Sequence, residues 1–461
     1  MFPHTANSFR RLFRQLSTPS LILLAPVKGD GQPVALSRVA ESTLGAREAR
    51  TTVNPVIHWN AVASKLMVDP GPIIDTRAFA ILHLAIHDAV NSIERRFEPY
   101  TLNERAPAGS SMDAAVATAA HDILVALSPS QREKIEREYA AALAAIPDGP
   151  AKNNGVNVGH RAAEANLTRR AKDGIPAGPW PPQSGPITQP VYTPTGKPGD
   201  YAFTPPFDQA PLGPIALFPG WGHLTPFGAD LSKHRLPGPD ALGSPEYARD
   251  LDSLKSLGSL HSRTRTADQS QTAFFWFEEV QVWNQIGRTV LERKQADTWH
   301  AARTMALTYL AVADAGIACF EAKYRFRFWR PFTAIRRADE DGNTATAPDK
   351  DWRPLLWPSS GEMPPTFFIP PIPEYPSAAA MLSAAAAEVL TSTLGDQESF
   401  EATSPSLPGV TRRFSSFKQA ADENGMSRVF GGIHFLRGVR DGAKLGQAIG
   451  RDVSRLLPAS R

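Results

Sequence analysis

Helical periodicity, broken once by a proline-dense stretch, constrains this chain more than any other feature. From Val56 onward apolar residues recur at three- and four-residue intervals, over 77–90, 114–127, 133–146 and 156–171, the pattern of helices that bury one face. Of 42 prolines, 17 then fall between residues 176 and 245, a density that forbids helix interiors and central strands. The excursion is rich in aromatics, among them Trp180, Tyr192, Tyr201, Phe203, Phe207, Phe218, Trp221 and Phe227. Such residues can pack an irregular segment onto a helical body, so a lid or an interface is expected rather than disorder.

Helical periodicity resumes over 245–257, 269–293 and 298 to about 328. A second proline-rich link, 348–376, leads to an alanine-rich helix over 378–394, then to helices near 415–424 and 434–457. Strand alternation is scarce. The expected class is all-α with two helical bundles, divided as 1–50 basic tail, 51–175 first bundle, 176–245 excursion and 246–461 second bundle.

A formal net charge of +3 over 461 residues gives no global reason to expect nucleic acid or an acidic membrane surface. No run reaches the roughly 18 apolar residues of a membrane span. The single cysteine, Cys319, excludes an intramolecular disulfide framework. Phe9-Arg10-Arg11-Leu12-Phe13 loosely resembles a twin-arginine export signal, ahead of a short apolar run at 21–25. A soluble protein follows, cytoplasmic or exported to the periplasm, with a homodimer compatible with either.

Three cationic residues, a serine and a histidine carry the chemistry. Lys323-x6-Arg330-Pro331, Pro376-Ser377 and Ser427-Arg428-x3-Gly432-x-His434 follow one another in the C-terminal third. Lys323 and Arg330, seven apart, would share one face of a continuous helix and repel unless a carboxylate or a bound anion lies between them. Taken alone, they are also a basic helix end meeting its dipole. Ser377 stands at the N-cap of the alanine-rich helix, where it either caps or, with the Ala378 and Ala379 NH groups, faces an anion. His434, after Gly431-Gly432, is expected in the first turn of the last helix. Together the five residues describe a cage for a tetrahedral oxyanion. His83-x3-His87-Asp88 has the spacing of zinc helices, but Glu is absent after His83 and no third ligand is evident, so the pair is expected to line the bundle interior.

These motifs resemble the signature of the vanadium-dependent haloperoxidases and the related type-2 phosphatidic acid phosphatases: Lys-x6-Arg-Pro, Pro-Ser-Gly-His, Ser-Arg-x3-Gly-x-His. Trp59-Asn60-Ala61-Val62, Trp329-Arg330-Pro331, Pro373-x-Tyr375-Pro376-Ser377 and Gly431-Gly432-Ile433-His434-Phe435 look like the bacterial haloperoxidase branch, and the likeness covers nearly everything after residue 55. The resemblance implies an all-α fold and a vanadate cofactor, with phosphate as a competing oxyanion. It implies that Lys323, Arg330 and Arg428 neutralise the equatorial oxygens, that Ser377 and the Ala378 NH hydrogen-bond them, and that His434 binds the metal. The implied substrates are hydrogen peroxide, polarised by Lys323, and a halide.

The family's acid–base histidine is Ala379 here, with Ala378 for its glycine. Loss of a general acid–base group costs on the order of 10²–10⁴-fold, so an impaired haloperoxidase is expected. The alternatives are a phosphatase using His434 as nucleophile and an oxyanion-binding pseudoenzyme. His223, His261 or His300 could substitute for the missing imidazole. Ile372 stands where relatives place residues thought to tune halide preference.

Overall fold

The computed structural model describes residues 53–67, 72–174, 192–209, 213–358 and 367–460. The export-signal reading and Trp180 lie outside them.

Thirteen α-helices and one short hairpin are found among the described residues. α1 (Pro55–Leu66), α2 (Pro72–Ile93), α3 (Met112–Leu127), α4 (Arg132–Ala144) and α5 (Pro150–Arg170) precede the excursion. α6 (Pro245–Leu257), α7 (Ala267–Phe275), α8 (Glu279–Arg293), α9 (Thr298–Phe326) and the short α10 (Pro331–Arg336) follow it. α11 (Ala378–Leu394), β1 (Phe400–Thr403), β2 (Thr411–Phe414), α12 (Phe417–Phe430) and α13 (Leu436–Val453) complete the chain. The all-α class is as expected from the periodicity. One buried cluster runs from Val56 to Leu457 through helices on both sides of the excursion.

The helix starts follow local chemistry. Ser111, Ser244, Asp297 and Ser416 each accept a backbone NH of the first turn, and Thr266 forms a reciprocal capping box with Gln269. Four expectations need correction. The helix expected over 269–293 is two, α7 and α8, because Trp276 to Glu278 leave helical geometry between them. The helix carrying Lys323 stops at Phe326, where Arg327 turns left-handed at φ 53° and donates its NH to Lys323 O. Arg330 is therefore the N-cap residue of α10 rather than two turns along a shared helix. His434 lies in the turn before α13, whose N-cap is Phe435. The hairpin was not expected: its four-residue strands pair Phe400 with Phe414 over a small core holding Trp276 and Phe417, too short a run for period-two alternation to register.

α9 is the central element, packed on α2, α11 and α13. It is long and apolar enough to cross a membrane by composition, against the expectation of no such run, yet 94% of its apolar window is buried in the protein. α11 and α13 approach closely because glycines face α11: a Cβ at Gly446 would stand 2.0 Å from Met381 O, and one at Gly442 2.8 Å from Ser377 O. The Ser377 NH itself donates to Gly438 O at 3.0 Å. This contact holds the N-terminus of α11 in place.

The excursion is docked at several points. Asp314 of α9 accepts the NH groups of Phe227, Gly228 (2.9 Å) and Ala229 (2.7 Å); burial still pushes its carboxyl up to about 6. Further along, Tyr201 NH donates to Arg327 O and Trp329 NH to Gly199 O, a two-residue ladder beside the site.

Candidate oxyanion site

The structure gathers Lys323, Arg330, Ser377, Arg428 and His434 in the protein interior, each 5% exposed or less. Lys323, in the last turn of α9, donates all three of its protons to carbonyls of the incoming segment: Pro373 O at 2.8 Å, Glu374 O at 2.9 Å and Pro376 O at 2.6 Å. Burial, and then the charge of Arg330, lowers its pKa to about 7. Lys323 thus fixes the chain that delivers Ser377, with no donor left over in this geometry.

Arg330 Nε donates to Ile372 O at 2.8 Å, and Nη1 donates to Ile433 O at 2.9 Å and to His434 Nε2 at 3.0 Å. Its Nη2 is buried without a partner. Arg428, in the last turn of α12, spends Nη2 on Trp276 O, on Glu279 Oε2 at 2.9 Å and on Asn424 Oδ1 at 3.3 Å, while its Nε has no partner.

His434 Nδ1 lies 2.8 Å from Glu374 Oε1. A guanidinium can only donate, so the Nε2 facing Arg330 carries the lone pair and Nδ1 carries the proton, which goes to the carboxylate. Burial, then Arg330, Lys323 and Arg428, holds the imidazole pKa well below its usual value. His434 is a neutral base whose lone pair faces the Arg330 guanidinium, the protonation form a metal ligand or a nucleophile requires. Ser377 caps α11, its Oγ 3.5 Å from Ala380 NH. Ala378 and Ala379 open the helix, so their NH groups have no intrahelical acceptor.

A buried acceptor set would have closed these donors internally. Instead Arg330 Nη2, Arg428 Nε and a helix N-terminus remain uncommitted among the described residues, beside a His434 lone pair that only Arg330 Nη1 meets, a set that suits a tetrahedral oxyanion with an electrophilic centre. The residues fit such a group.

Residues 303–459 match the VCPO second helical-bundle domain family. The chain is 26% identical to the vanadium chloroperoxidase of Curvularia inaequalis, over 88% of this chain and 81% of that one. In three dimensions it is similar to a bacterial vanadium-dependent iodoperoxidase, with a TM-score of 0.71 and 23% identity over 90% of this chain and 99% of the other. A bacterial vanadium-dependent chloroperoxidase in its holo form gives a TM-score of 0.62 and 20% identity, over 83% of this chain and 90% of that one. Residues 303–459 thus carry the second helical-bundle domain of that family, and the chain as a whole is similar to vanadium-dependent haloperoxidases in sequence and in fold.

Within this haloperoxidase fold two acidic partners escaped the sequence reading. Glu374, fully buried between Lys323 and Arg330, accepts from His434 Nδ1 and from Phe435 NH at 3.1 Å. It is the acidic group whose charge Lys323 and Arg330 favour. Burial raises its pKa to about 8 against the pull of Lys323 and Arg330, and its Oε2 has no partner. A lone acid in an apolar proline segment was the available signal. Glu279, the counter-ion of Arg428, gave none, since it comes from a different helix.

The other histidines lie elsewhere. His83 stacks on Phe79 and Tyr309, 5.1 Å from the latter, and its Nε2 accepts from Asn60 Nδ2 at 2.9 Å. His87 Nε2 meets Glu98 O at 3.0 Å. His87 thus ties α2 to the chain that follows it, and His83 packs α2 against α9. His223, His261 and His300 are exposed, so none of them enters the buried cage to replace the missing imidazole.

Proposed function

We propose that this chain is a vanadate-dependent haloperoxidase-like oxidoreductase that uses hydrogen peroxide to oxidise halide, weakened by Ala379. The observation that carries this reading is the pairing of a neutral, lone-pair-bearing His434 with two buried guanidinium nitrogens, Arg330 Nη2 and Arg428 Nε, that have no acceptor among the described residues. Arg330 Nη2, Arg428 Nε, Ser377 Oγ and the Ala378 NH would hold the oxygens of vanadate, and His434 Nε2 would bond the metal. Vanadate supplies an electrophilic centre at which peroxide is activated for attack by a halide.

The remaining work belongs to the protein. Glu374 keeps the His434 proton on Nδ1, so that Nε2 stays available. Lys323 holds the Pro373–Pro376 segment and contributes a positive field without a direct bond. The buried cage excludes water, which strengthens each of these interactions. A phosphatase would use His434 Nε2 as nucleophile, but an alkoxide leaving group needs a proton donor, and Ala379 offers none.

The test is a bromination assay on metal-free protein before and after orthovanadate is added, with an aryl phosphate assayed in parallel. Halide- and peroxide-dependent turnover only after loading supports the proposal, with phosphate inhibiting by competition. Phosphate ester turnover without bromination would instead assign the phosphatase. Failure to bind either anion at micromolar concentration would sink the oxyanion reading altogether.

A further inference from the structure

The excursion carries a group of buried polar side chains that the site described above does not use. Tyr201 is fully buried, stands close to Thr204, and lies within electrostatic reach of Arg330 and Asp208. Tyr201 Oη, Thr204 Oγ1 and Asp208 Oδ1 are all buried without a hydrogen-bond partner, as is Arg330 Nη2. The Tyr201 and Thr204 hydroxyls have at best each other, and an unpaired buried hydroxyl costs about 1–3 kcal/mol, so this group, with Arg330 in electrostatic reach, calls for a further partner that the described residues do not supply.

The segment is held firmly against the cage. Tyr201 NH bonds Arg327 O at 2.6 Å, three residues before Arg330, and Leu217 NH bonds Pro371 O at 2.9 Å, next to the Ile372 carbonyl that Arg330 binds. The Phe207 ring meets Phe368 edge-on at 5.4 Å. The excursion therefore spans the cage from the end of α9 to the chain leading into α11.

We propose that the excursion forms a further wall of the oxyanion cage, with the Tyr201 and Thr204 hydroxyls as hydrogen-bond donors to the anion that Arg330 holds. This inference rests on the oxyanion reading given above. Asp208 is the acceptor of the group, and it matches a ligand that carries protons as well as charge, as a dihydrogen oxyanion does.

Binding of orthovanadate and of inorganic phosphate to the metal-free full-length protein, by calorimetry, tests this without relying on turnover. Tyr201→Phe and Thr204→Val remove only hydroxyls and should each weaken binding about tenfold or more. Because those hydroxyls are unpaired in the protein, the anion-free melting temperature should stay level or rise. That combination is the result expected; weakening toward vanadate alone would assign the contact to vanadate, and equal weakening would assign it to tetrahedral oxyanions in general. Wild-type affinity in both variants at unchanged melting temperature overturns the wall, and so does lost binding accompanied by a lower melting temperature, since the hydroxyls would then be structural. If the wild-type protein binds neither anion, the oxyanion reading has failed and the wall falls with it.

Discussion

Replacing Lys323 by Met would leave three buried carbonyls, those of Pro373, Glu374 and Pro376, without their donor. At about 1–3 kcal/mol for each unsatisfied group, Lys323→Met should lose at least about 3 kcal/mol of stability, read from denaturant midpoints, as well as anion affinity. A lysine that only met the ligand would show the second effect without the first. Ala379→His is the complementary change: on the proposed function it should raise vanadate-dependent bromination on the order of 10²-fold or more while leaving vanadate affinity within a few-fold. No gain would mean that another group already serves the proton. Residues of the cage were legible because each has a distinctive type at a distinctive interval. Glu374 and Tyr201 were not, since neither a proline link nor an irregular excursion has a period from which to infer what a side chain faces.

At the scale of elements, the position of Ser377 depends on how closely α13 lets α11 approach. Gly446→Ala would place a methyl group 2.0 Å from Met381 O, a backbone atom that cannot rotate away. The two helices must separate, at about 1–3 kcal/mol for overpacking, and Ser377 moves with them. The expected outcome is a lower melting temperature together with weaker vanadate binding, although residue 446 touches no part of the cage. Helix identity was legible from periodicity, and the bounds of α6 and α11 coincide with those expected. Helix ends were less so. The stop at Phe326 depends on a left-handed Arg327 whose guanidinium pairs with Asp200 at 2.8 Å, and a partner 127 residues away leaves no local trace. The same stop turns Arg330 out of α9 and into the cage.

For the whole molecule, buried titratable groups set the response to pH. His83 is held neutral, its pKa lowered from 6.5 to about 3 by burial and then by Arg288. The unfolded chain binds that proton below about pH 6.5 and the folded one does not, so stability is lost as pH falls from 6.5 toward 3. Asp314 acts in the opposite sense between its ordinary value of 3.8 and about 6, where the folded state binds the proton more tightly and stability falls as pH rises. The two oppose each other between about pH 4 and 6, and a variant is needed to separate them. The stability difference between wild type and His83→Asn should change by about 1.4 kcal/mol per pH unit across that window, measured by urea unfolding at several pH values. A constant difference would show that His83 is protonated in the folded state. The fold class was legible from the sequence, whereas the single core shared by helices on both sides of the excursion was not, because periodicity shows which face of a helix is buried and not what covers it.

Arg330 and Arg428 each keep one interior nitrogen donor with no acceptor among the described residues. For the folded state an oxyanion is then a missing piece of the core as much as a reagent. Binding it offsets a desolvation cost already incurred, and by mass action about 2.7 kcal/mol of stability follows at a ligand concentration 100 times Kd. The melting temperature should climb with the logarithm of added vanadate or phosphate, halide and peroxide being unnecessary. A thermal shift would thus rank the anions this protein prefers before any reaction is assigned to it.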